Sequence, residues 1–301
     1  MTNRVLHERG EPDVTTIGGS IVVGVGPRGG DINRALWEAA LWAARRRADL
    51  TLMSAVGDGH HRTGSAGSSE GSQRRRRALY AVNGVAHRLA RSTDVNQIVH
   101  TQVIDQPAEQ MLIGASTVAA LIVLQRRELR TVARLRIGST TAAVAAHAAC
   151  PALIVHADDQ ICVGRGILAV VDDRRSASAC LGEAFEEARQ RGVLLTAVAC
   201  QGRLCDSMSL AHSVSSTAHA AAAADLAEQI NGWQQEYPEV LVRQLTLDGP
   251  PIAELLALGR ESGLVVVGRH RRGQPGIRNL STMTRELIEE ARCPVLVVPP
   301  S

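Results

Sequence analysis

The chain has 301 residues and 33 basic side chains, every one an Arg. Without a Lys it cannot build a Walker-type phosphate loop, a pyridoxal Schiff base or a kinase-type nucleotide site, and its six aromatic residues are too few for rows of base-stacking rings. The net charge of +3 divides into +7 over residues 1–157 and −4 over residues 158–301, which implies either a polyanion-facing first half or an exposed basic helix face.

Residues 1–17 read as a polar tail with no apolar leader run. The six Cys show no C-x-x-C spacing, so a reduced, cytoplasmic protein without a zinc ribbon is expected. No apolar run approaches the roughly 20 residues that cross a bilayer. The first strand is Ile21 to Val25, followed by an Ala-rich helix over 35–47 on which Trp37, with Ala40, Leu41 and Ala44, is expected to face the core. A strand at 50–56 leads into a Gly- and Ser-rich segment, 57–73, and a helix over 74–91. Pro107 opens a short helix, Ala119 to Leu124 forms a strand, Gly138-Ser139-Thr140-Thr141 opens another helix, and Cys150-Pro151 precedes the last apolar strand.

After a short linker at 157–163 the same order returns. Ile167 to Val171 answers the first strand, 180–191 the first helix, 193–200 the second strand and 218–235 the long helix. Pro251 to Leu256 answers Pro107 to Leu112, Gly263 to Gly268 answers 119–124, and Cys293 to Val298 answers Cys150 to Val155. The offset stays between 143 and 146, so the chain from about residue 18 is one unit written twice. Short β-branched strands alternating with helices predict an α/β protein of two tandem, doubly wound, parallel five-stranded sheets, Rossmann-like in build, over residues 18–157 and 158–301.

These residues resemble the universal stress protein family in its tandem form. The resemblance covers nearly the whole chain: a small-residue loop after the first strand, the P-A-x-x-L-L helix start, the apolar fourth strand, a Gly/Ser phosphate loop and a final C-P-hydrophobic strand. It implies dimerisation through the last strand and, in one branch, ATP held by an Asp after the first strand and a loop of the form G-x2-G-x9-G-S/T after the fourth. Such a loop works without Lys, because glycines let amides approach phosphate and a helix N-terminus supplies about half a positive charge.

On that pattern the second repeat keeps Asp172 and Gly268, replaces the second glycine by Arg271 and the third by Ser281, and retains the hydroxyls of Ser281, Thr282 and Thr284. Arg271 either clamps a phosphate or fills the phosphate site itself. In the first repeat the Asp position reads Gly26, the first glycine Leu124 and the second Arg127, while Gly138, Ser139 and Thr140 keep the loop's end. There the intact residues serve either a nucleotide or a helix cap.

Other features favour plain roles. Arg74 to Arg77 point around all sides of a helix and have no aromatic interleaved. Arg269-His270-Arg271-Arg272 lies at a strand's carboxyl edge, where an anion fits. His60-His61 lack a second ligand pair, and Cys150 and Cys293 read as core. No catalytic motif is present. The expectation is a cytoplasmic stress-response regulator, more a binding protein than an enzyme, taking ATP or a related adenine nucleotide mainly through the second repeat. It would use no metal, no specific nucleic acid and no membrane, and would form a homodimer or a pseudo-dimer of repeats. The alternatives are a scaffold that binds no nucleotide and a slow nucleotide hydrolase.

Overall fold

The computed structural model describes residues 5–7, 17–26, 32–57, 69–92, 97–126, 139–157, 164–172, 174–200, 216–247, 251–269 and 280–300. The chain divides into two compact units that meet in sequence at residues 157 and 158.

The first unit runs β1 (Val5–His7), β2 (Ile21–Gly24), α1 (Asn33–Arg46), β3 (Leu50–Ala55), α2 (Ser69–Ser92), β4 (Val99–Ile104), α3 (Ala108–Ala115), β5 (Leu121–Arg126), α4 (Ser139–His147) and β6 (Ala152–His156). Its strands pair in the order β1-β4-β3-β2-β5-β6, every pair parallel. The second unit runs β7 (Ile167–Val171), α5 (Arg174–Arg191), β8 (Leu195–Cys200), α6 (Ser216–Glu236), β9 (Val242–Leu247), α7 (Ile252–Glu261), β10 (Leu264–Gly268), α8 (Thr282–Glu290) and β11 (Val295–Val298). Its order is β9-β8-β7-β10-β11, again all parallel. The doubly wound α/β architecture is therefore as the sequence implies, with one addition: Val5–His7, inside the expected tail, forms a sixth strand along β4.

The strand sequences explain this build. Ile21-Val22-Val23, Leu121-Ile122-Val123, Ile167 to Val170 and Leu264 to Val267 are fully buried, as strands covered on both faces must be. Alanines at 35, 39, 40 and 43 let α1 approach its sheet closely, and Trp42, at 0% exposure, is the aromatic that enters the core. Trp37, expected in the core, is 38% exposed. The equivalent helices both end in the left-handed region, Arg47 at φ 52° and Gly192 at φ 62°. Glycine takes that conformation at little cost, whereas Arg47 carries a strain of about 1 kcal/mol.

Register fixes the internal equivalences. Ile21 pairs with Leu121 and Leu50, and Ile167 with Leu264 and Leu195; Gln125 pairs with Val155 and Gly268 with Val298. Leu124 thus corresponds to Val267, and Gln125, not Leu124, is the counterpart of Gly268. The equivalence of Leu124 with Gly268 expected from the sequence is therefore off by one residue. Leu124 instead leans over Gly24, where an added Cβ would lie 2.8 Å from its Cδ2. A Gly–Leu pair replaces the Val170–Val267 pair of the second unit.

Candidate functional site

In a parallel α/β sheet the loops that can hold a ligand gather at the carboxyl ends of the strands. In the second unit β7 and β10 are neighbours, with Val170 beside Val267. Gly268 therefore ends β10 at the level where β7 gives way to Asp172. The helix after β10 must run back to the start of β11, so the N-terminus of α8 lies at the same edge. Three of the sequence-assigned features, Asp172, Gly268 and the Ser281 start of α8, thus share one strand edge.

Asp172 is half-buried. Its charge reaches Cys180 on α5, whose thiol is wholly buried and bonded to the carbonyls of Val170 and Val266 at 3.6 Å each. Burial first, and the Asp172 charge second, push that thiol well above its ordinary pKa. Cys180 is thus a neutral core residue that fixes the start of α5 against β7 and β10. No spacing in the sequence marks it.

Gly268 has a structural reason to be glycine. An added Cβ would stand 2.6 Å from both Cβ and Oγ of Ser176 in the first turns of α5. The bare backbone at this strand end is therefore required by helix packing, and the next amide, that of Arg269, donates to the Val298 carbonyl at 2.7 Å.

Ser281 is the N-cap of α8, with φ −64° and ψ 157°. Its Oγ accepts from the Thr284 amide at 3.0 Å and lies 2.8 Å from Thr284 Oγ1. Thr284 is fully buried, whereas Thr282 is exposed. The two hydroxyls of Ser281 and Thr284 are thus joined in a cap, the plain role the sequence offered for the corresponding residues of the first repeat. Arg271 lies outside the described residues, as do Asp173, His270 and Arg272.

The first unit closes the same place differently. Gly26 stands at the Asp172 position, so no carboxylate is present there. Gln125, at the Gly268 position, uses its Oε1 to accept the amide of Ala35, 3.2 Å away, one of the donors that the first turn of α1 would otherwise leave unsatisfied. Ser139 opens α4, Thr140 is half-buried and Thr141, the counterpart of Thr284, is buried. Gly138 and Arg127 lie outside the described residues. The long side chain at the strand end and the missing carboxylate make the two units chemically unequal.

A separate groove of about 470 Å³ runs between α5 and α6, lined by Ser178, Asp225, Glu228, Trp233 and Glu236 among others. None of the sequence-assigned residues lines it. Among the described residues no three His, Cys, Asp or Glu side chains are grouped to hold a metal ion, and no helix is long and apolar enough to cross a membrane.

Two doubly wound units, each with an all-parallel sheet, define a tandem Rossmann-like α/β protein. The universal stress protein family matches residues 19–156 and 165–299, and the chain belongs to that family. It is 30% identical over 204 residues to a universal stress protein of Mycolicibacterium smegmatis, covering 67% of this chain and 69% of that one. The crystal structure of a universal stress protein from Archaeoglobus fulgidus superposes with a TM-score of 0.69 at 14% identity, covering 93% of this chain and 96% of the other. A universal stress protein from Archaeoglobus fulgidus in complex with dAMP matches 45% of this chain and 98% of its own, with a TM-score of 0.30 and 17% identity.

Proposed function

We propose that the protein is a cytoplasmic stress-response regulator that binds ATP or a related adenine nucleotide through its second repeat. The observation that carries this reading is the placement of Asp172 and Gly268 at adjacent strand ends, on the edge where α8 begins. Asp172 contacts the adenosine, and Gly268 ends the strand from which the phosphate-binding loop departs. Arg271 offsets phosphate charge, and Thr282 donates a hydroxyl at the helix start. Ser281 orients the loop end while Thr284 braces it from below. The first repeat, with Gly26 and Gln125 in place of Asp172 and Gly268, contributes structure instead of a second nucleotide.

The Ser281–Thr284 pairing supports a second reading, in which the loop end is only a helix cap and the protein is a dimerising scaffold. Calorimetric titration of ATP, ADP and AMP into the wild type, Asp172→Ala and Ser281→Ala separates the two. Saturable binding abolished by Asp172→Ala is the expected result. Absence of heat for every nucleotide selects the scaffold, and binding indifferent to Asp172→Ala rejects the site.

A further inference from the structure

The four consecutive arginines at 74–77 point to different sides of α2 and make no surface by themselves. The structure assembles a surface from other members of the helix. At 3.6 residues per turn, Gln73, Arg76, Arg77, Tyr80, Gly84, His87, Arg88 and Arg91 fall within about 60° of one line along α2. Arg76, Arg77, His87, Arg88 and Arg91 are exposed, and Tyr80 is 75% exposed. The opposite side, with Ala78, Val82, Val85, Ala86 and Leu89, is buried against the sheet. The helix carries a single acid, Glu70, whose carboxylate is bonded to Arg74 at 2.6 Å in the first turns.

We propose that this stripe binds single-stranded nucleic acid without sequence preference. Four guanidinium groups spread over 15 residues cover about 22 Å at 1.5 Å per residue, a length that tracks several successive phosphates. Tyr80 lies one turn from Arg76 and Arg77, so an open aromatic face stands within the basic row. That is the pairing of charge and stacking platform on which unpaired bases dock. The sequence alone gave no interleaved aromatic, because Tyr80 joins the row only through the helical period. An anionic membrane surface fits less well, since the apolar side that would enter lipid is packed in the core of the unit. The +7 charge of residues 1–157 adds long-range attraction.

Fluorescence anisotropy of the full chain with labelled oligo(dT) tests this. Binding is expected at about 50 mM salt and should fall with a log–log slope of about −3, roughly −0.7 for each of four phosphates. The triple variant Arg76→Gln, Arg88→Gln, Arg91→Gln should bind at least about tenfold more weakly with a shallower slope. Tyr80→Ala should lose about tenfold with the slope unchanged, and Tyr80→Phe should keep affinity. All these positions are exposed, and unchanged melting curves will certify the fold. No binding at low salt, variants that bind like the wild type, or equal affinity for duplex DNA, an acidic peptide or phosphatidylserine vesicles would overturn the proposal.

Discussion

Gln125 reaches the amide of Ala35 at 3.2 Å in the first unit, whereas its counterpart Gly268 has Ser176 packed against its backbone in the second. A side-chain acceptor on an early helix amide is worth about 1 kcal/mol. Gln125→Ala should lower the stability of the first unit by about that amount in urea denaturation. It should leave nucleotide titrations untouched, since the first repeat lacks the Asp172 carboxylate.

At Gly268 the constraint is steric. Gly268→Ala places a methyl 2.6 Å from Ser176, and overpacking of this kind costs about 1–3 kcal/mol. The double variant Gly268→Ala, Ser176→Gly should recover much of the loss. A double variant no more stable than Gly268→Ala alone would show that the Ser176 contact is not the cause.

One position on the first helix of each unit shows two solutions to the same problem. Trp42, fully buried, has the Arg46 guanidinium 4.7 Å from its ring centre. Its counterpart Glu187 is also fully buried and accepts from Arg191 at 3.0 Å. Removing a cation from an aromatic ring forfeits about 1 kcal/mol, whereas removing the cation that faces a buried carboxylate costs about 3 kcal/mol or more. Arg191→Ala should therefore destabilise its unit about threefold more in free energy than Arg46→Ala does its own, read from separate denaturation midpoints.

Acid pH should reveal the cluster on α8. Burial, followed by the charges of Glu290 and Glu289, holds the Glu286 carboxyl above the usual carboxylate range. An acid whose folded pKa is raised takes up a proton more readily when folded, so its charged form weakens the fold at neutral pH and that penalty disappears as pH falls through the folded value. Glu286→Gln should raise the melting temperature at pH 7 and lose its advantage near about pH 4. An advantage that stays constant across this range would contradict the charge origin.

The internal repeat, the strand positions and the parallel α/β class were readable because β-branched runs and Ala-rich segments recur at a constant offset, and periodicity survives without any knowledge of packing. Phase was not readable where apolar residues surround an element. On α1, apolar residues (Ala, Leu and Trp) lie on most sides, so the sequence could not decide between Trp37 and Trp42; only the sheet beneath the helix selects Trp42. The same ambiguity produced the slip from Gln125 to Leu124. A strand buried on both faces has no polar side to mark its register, and one residue of slip turns every side chain over.

The sequence by itself determined that there are two like units, that any phosphate chemistry here proceeds without Lys, and that Asp172 belongs to the second unit alone. Those facts reside in residue identity and spacing. Tertiary structure decided what the spacing could not: that Gly268 is bare because Ser176 crosses it, that Gln125 meets the amide of Ala35, and that Trp42 and not Trp37 is buried against the sheet. Each depends on which atoms meet after the chain has folded, and contacts between distant residues leave no local pattern in the chain.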